Sequence, residues 1–202
     1  MSISKKFVQQ LRSGEAVSDE DAAAINHWPE VDVARSLIRD SDIERLLALT
    51  RGQRPAVRRT AITLLQRFAT RPEVSAALRK LWLDDADFEV RYAVLWRLLD
   101  DPELPFSIHR EIFDFIKDNW LRFSEVNRGW YGEPERIIPG VRVRLDDPSF
   151  PDSKTWAYLC ILLSSPDKKA ARELIAGYAA SPDPFLREVA DFCMSKIRQE
   201  HG

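Results

Sequence analysis

Glycine is scarce, 7 in 202 residues, and the chain holds only two cysteines and three histidines. Few glycines beside abundant leucine, alanine and arginine favour helices over sheets. Two cysteines make no disulfide framework, and Cys160 and Cys193 each sit in an apolar helical run. With no secretory segment in the sequence, a reducing, cytoplasmic setting is expected. His27, His109 and His201 lie far apart; no pair has the i, i+4 spacing of a zinc site, and there is no Cys-x-x-Cys. His109, beside Arg110 and Glu111, reads as a helix-surface residue. No glycine-rich phosphate loop occurs, and no serine stands in a Gly-x-Ser-x-Gly elbow. No apolar run approaches the ~18 residues a membrane span needs. A formal net charge of -2 gives no global pull toward nucleic acid or anionic membrane, so a polyanion site would have to be a local patch. These absences lead to the expectation of a non-catalytic protein with no cofactor, no metal and no membrane contact.

What is present is a folded, helical composition: 45% hydrophobic and 31% charged residues. A chain of this length buries a substantial core and reads as a single domain over residues 1–202. Ile3, Phe7, Val8 and Leu11 fall at helical spacing, and Gly14 ends that run. Ser18 reads as an N-cap with acids in the first turn after it, and that helix stops at Trp28-Pro29. Residues 1–40 form an N-terminal cap in this reading.

From residue 41 the pattern becomes regular. Ser41-Asp42 opens a short helix, Pro55 and Pro72 stand where first-turn prolines are tolerated, and Asp87 precedes another apolar helical face. A further helix is expected from Pro105 to about Phe123. Residues 124–153 break the rhythm with several glycines and prolines. There, Val141-Arg-Val-Arg-Leu145 alternates like a half-exposed strand, and the Pro139-Gly140 turn separates it from Arg136-Ile-Ile138. An irregular insertion with a small β-hairpin is therefore expected. Helices resume at about Ser153 and continue to residue 200, opened by Ser165-Pro166-Asp167 and by Ser181-Pro-Asp-Pro184.

Two helices joined by a turn holding Pro or Asp, with Val-Arg opening the second, recur through the chain. The matching residues are Pro55, Val57, Arg58 and Ala61; Phe88, Val90, Arg91 and Val94; and Pro184, Leu186, Arg187 and Ala190. This unit resembles the HEAT repeat over about residues 42–123 and 153–199. The periods are about 31 and 33 residues, short for a class with units of about 40. The resemblance implies an all-α fold, an α-solenoid of stacked antiparallel helix pairs. Each pair buries its apolar stripe on its neighbours, giving an extended concave surface.

Two stretches carry candidate binding residues. Between Glu44 and Glu73 lie Arg45, Arg51, Arg54, Arg58, Arg59, Arg67 and Arg71, and no acid. Arginine forms bidentate contacts with phosphate and carboxylate, so Arg51, Arg54, Arg58 and Arg59 suit docking of a polyanion or an acidic protein segment. Arg58 recurs as Arg91 and Arg187 and belongs to the repeat; Arg54 and Arg59 do not recur. The second stretch is the insertion, where Arg128, Trp130, Tyr131, Arg142 and Arg144 mix cations with aromatics, as binding interfaces do. The leading expectation is a non-catalytic adaptor that binds a protein partner through the concave face and residues 124–153. The alternative is a nucleic-acid-binding protein using the Arg45–Arg71 patch. Val57-Arg-Arg-Thr-Ala-Ile62 is similar to a segment of the HEAT-like DNA glycosylases. The resemblance implies a basic concave surface with Trp and Asp at the lesion, yet residues 50–61 contain neither. Maturation factors of the same architecture, resembling phycobilin lyases, form a third class.

Overall fold

A computed structural model of the chain describes residues 2–26, 30–101, 103–150 and 152–199, and leaves out the side chains of residues 130, 131 and 152. The chain is all-α: thirteen α-helices and short 3-10 turns, with no strand among the described residues. It divides into two compact units, residues 1–104 and 105–202. The call at Trp28-Pro29 lies outside the described residues.

Unit 1 holds α1 (Ile3–Ser13), α2 (Asp19–Ile25), α3 (Glu30–Leu37), α4 (Ile43–Leu49), α5 (Pro55–Leu65), α6 (Pro72–Asp84) and α7 (Phe88–Leu98). The Ser2 and Ser18 hydroxyls accept hydrogen bonds from Lys5 N and Asp21 N, satisfying first-turn donors that have no partner inside the helix. Gly14 ends α1 at φ +79, a conformation that costs a residue with a Cβ. Pro55 and Pro72 open α5 and α6, where a missing N–H loses nothing. Asp87 caps α7 through Glu89 N and Val90 N. The Ser41-Asp42 cap takes a different form. Residues Asp40–Asp42 make a 3-10 turn, and the Asp42 carboxylate accepts from Arg39 N and from Arg12 rather than from the first turn of α4.

Helix α5 is the centre of unit 1 and packs on α2, α4 and α7. Ala61, Ile62, Leu64 and Leu65 are fully buried. Each large aliphatic side chain buried this way contributes about 1.5–3 kcal/mol. Thr60 Oγ1 donates to Ala22 O at 2.8 Å, and Asn26 Nδ2 donates to Thr60 Oγ1 at 2.6 Å. Arg54 pairs with Asp19 at the start of α2. These ties in register mean that α2 and α5 run parallel.

Unit 2 holds α8 (Phe106–Asp118), α9 (Trp120–Tyr131), α10 (Ile137–Leu145), α11 (Asp152–Ile161), α12 (Lys168–Ala176) and α13 (Pro184–Gln199). Helix α13 packs on α11 and α12. Edge-to-face contacts join Phe113 to Trp156, Phe185 and Phe192, so the core here is largely aromatic.

Two expectations are corrected in unit 2. The helix expected to run to about Phe123 breaks at Asn119 (φ -123, ψ 23), whose side chain donates to Phe115 O. Helix α9 then carries the chain through Tyr131, across the first part of the expected 124–153 insertion. The β-hairpin is absent, because residues 137–145 are helix α10. The alternating stretch also satisfies i, i+4 spacing: Ile137 and Val141 are both fully buried on one helical face. Val143, which a strand would place beside Val141, is 69% exposed. Pro139 falls in the first turn of α10, where its missing N–H has no helical acceptor to serve. Arg142 and Arg144 lie in its last turn, where cations suit the negative end of the helix dipole.

Candidate partner-binding groove

The arginines between Glu44 and Glu73 meet acids and carbonyls that are distant in sequence. Arg45 donates to Leu11 O and Arg12 O, the carbonyls at the end of α1. Arg67 donates to Arg35 O and Ile38 O, and Arg71 pairs with Asp40. Arg54 pairs with Asp19 at 3.7 Å, and both side chains are exposed. Arg59 pairs with Glu89 in the first turn of α7. Burial pushes the Arg59 guanidinium pKa down while Asp87 pulls it up, and its Nε is buried without a partner.

Arg58 is the most enclosed of the set. Its Nε and Nη2 hold the Asp85 carboxylate at 2.7 and 2.9 Å, with 13% and 6% of the two side chains exposed. Its Nη1 donates to Gly52 O and Gln53 O at 3.0 and 2.8 Å. In unit 2, Arg187 Nη1 donates to Ser181 O and Pro182 O at 2.6 and 3.1 Å. The carbonyls lie six and five residues upstream in both cases, so in these two copies the arginine closes its own turn, whereas Arg91, in the third, lies over the Trp82 ring at 4.6 Å from its centroid. Arg51 is exposed and makes no ion pair or side-chain hydrogen bond with the described residues.

Arg51 and Arg58 meet again in a groove of about 860 Å³ in unit 1. One wall is the turn after α4, at Thr50, Arg51 and Gly52; the other is α6, at Ala77, Lys80, Leu81 and Asp84. The Arg58–Asp85 pair closes it. Lys80 and Asp84 were not singled out from the sequence. The signal for them exists, since residues 77, 80, 81 and 84 share one helical face, but the wall opposite them is set by tertiary packing. Beside α5, Arg59, Asp87 and Glu89 line a second, smaller cavity of about 170 Å³.

The candidates of the second stretch separate. Arg128 donates from Nε to Ser164 O at 3.2 Å and from Nη2 to Ser124 Oγ at 3.3 Å, closing the end of the 3-10 turn that follows α11. Trp130 and Tyr131 end α9, and their side chains lie outside the description. Arg142 and Arg144 are exposed on α10, on either side of the exposed Val143.

His109 is corrected from surface to core. It is 8% exposed, and Trp156 Nε1 donates to its Nδ1 at 3.2 Å, so that nitrogen carries no proton. Cys160 and Cys193 are free and buried, and Cys193 Sγ lies 3.6 Å from Leu159 O. Burial pushes the Cys193 thiol well above its usual range, and the neighbouring Cys160 adds to the shift. Among the described residues, no group of three His, Cys, Asp or Glu side chains is placed to hold a metal ion, and no helix is long and apolar enough to cross a membrane.

No family model, no curated protein and no solved structure matches the chain.

Proposed function

We propose that this chain is a HEAT-like α-solenoid adaptor that binds another protein and carries out no chemistry of its own. The observation that carries the reading is the repeated arginine clamp, made by Arg58 in unit 1 and Arg187 in unit 2 with the same offsets to its carbonyls. A clamp repeated at the start of equivalent helices is what an array of copied helix pairs produces, and such arrays act through extended surfaces. The binding surfaces in this reading are the helix layer containing α5, the groove beside α6, and residues 124–153 with the exposed Arg142 and Arg144.

The engagement of the arginines favours a protein partner over nucleic acid. A phosphate backbone is bound by cations able to replace its counterions. Arg45, Arg54, Arg58, Arg59, Arg67 and Arg71 already contact acids or carbonyls of the chain itself. The test is affinity capture of the tagged protein from its native cells, followed by rebinding of the candidate partner in purified form. A partner that rebinds at a fixed stoichiometry supports the adaptor. Capture of nucleic acid alone, or of nothing above an untagged control, sinks it.

A further inference from the structure

The groove beside α6 lies between the turn that follows α4 and the last turns of α6. Helix α4 stops after 7 residues, whereas α6 runs for 13. Ala77 and Leu81 give the α6 wall an apolar strip beside Lys80, with Arg51 on the facing wall. Three cations and two carboxylates line the groove, but Arg58 and Asp85 neutralise each other. That leaves Arg51 and Lys80 facing one carboxylate, Asp84. Arg51 and Lys80 are both exposed, and neither forms an ion pair with the described residues.

We propose that this groove docks an acidic segment of the partner protein, with glutamate or aspartate carboxylates bridging Arg51 and Lys80. The inference rests on the adaptor reading and names the chemistry of its partner. A glutamate side chain fits both parts of the site, since its methylenes lie on Ala77 and Leu81 while its carboxylate reaches the cations. A single-stranded nucleic acid fits less well, because among the described residues no aromatic ring lines the groove for a base to stack on. Asp84 opposes the ligand and sets a limit on how acidic a segment the groove accepts.

The experiment is a fluorescence-anisotropy titration of the full chain with a short labelled peptide of alternating glutamate and alanine. Its lysine–alanine counterpart and a labelled single-stranded DNA are the comparisons. The glutamate peptide binds, and more weakly as salt is raised. Arg51→Glu and Lys80→Glu each weaken it by about tenfold. Asp84→Asn tightens it by about threefold, and Arg187→Glu, in unit 2, leaves it unchanged. Arg51, Lys80 and Asp84 are exposed, so circular dichroism and thermal melting of those variants match the wild type, while Arg187→Glu keeps the wild-type circular dichroism and melts slightly lower through the loss of its turn contacts. The proposal is overturned by absence of binding at low salt, by equal binding of the lysine peptide, by tighter binding of DNA, or by indifference to the Arg51 and Lys80 changes. Its failure is distinct from that of the adaptor reading: a double Arg51→Glu/Lys80→Glu variant that keeps the captured partner removes the groove and leaves the adaptor standing.

Discussion

Helices α5 and α13 start with the same local device and then diverge. Both open at a proline, and both send an arginine back to carbonyls of the preceding turn. The Arg58 fork then finds Asp85 on the next turn of unit 1, whereas Arg187 is exposed and holds only its own turn. One turn further on, α5 carries Ile62 and Leu65, both fully buried, where α13 carries the exposed Asp191 and the half-buried Met194. Helix α5 is covered on that face and α13 is not. The clamp depends on residues within six positions and survives in both places. The second half of each helix is written for its neighbour. A polar face at that position meets water where the apolar one meets a neighbouring helix.

The contrast breaks most visibly when the faces are exchanged. Ile62→Asp places an unpaired charge in the core of unit 1 and costs about 4 kcal/mol or more. The reverse change, Asp191→Ile, stays within about 0.5 kcal/mol. Urea unfolding of both variants checks this, and equal costs would end the distinction. Next in size is the clamp itself. Arg58→Met leaves the Asp85 carboxylate buried without its partner and costs about 3 kcal/mol. Arg187→Met removes an exposed group and costs under about 1 kcal/mol. Acid should reach unit 1 through Asp42, whose pKa is held down first by its hydrogen bonds from Arg12. A folded pKa below the unfolded carboxylate value of about 3.9 adds stability above that value, lost as pH falls through the lower one. Hydrogen exchange followed as pH falls below 4 should therefore show the Arg12–Asp42 region opening in the wild type, and Arg12→Met should flatten that dependence. A small gain in stability is expected in α9, where Gly129 lies inside the helix with open space at its Cβ position. Gly129→Ala should stabilise by about 0.5–1 kcal/mol; a loss would mean that α9 does not continue through residue 129.

Much of this architecture is legible in the sequence. Caps and first-turn prolines at Ser18, Pro55, Pro72 and Asp87 mark helix starts because they act on backbone groups within a few residues. Arg58 is identifiable as part of the fold because it recurs. Two kinds of feature escape. Val141-Arg-Val-Arg-Leu145 satisfies strand and helix periodicity at once, and only the burial of Ile137 beside Val141 decides between them. The arginine-rich stretch looks unopposed because Asp19, Asp40 and Glu89 lie outside it and arrive through packing; for Arg58 alone the acidic turn at residues 84–87 offers a partner in the sequence, and Asp85 is the one it takes. Lys80 and Asp84 escape for the same reason, since a groove wall has meaning only when the opposite wall is known.

The two cysteines of unit 2 give the molecule a built-in reporter of its own opening. Both thiols are fully buried, and Cys193 resists ionisation. A water-soluble alkylating reagent can therefore reach them only in molecules whose α11–α13 contact has come apart. The labelling rate then tracks the open population of that contact, with no probe added and no residue changed. A partner that clasps unit 2 would slow the labelling, and one that docks on unit 1 alone would leave it as it is.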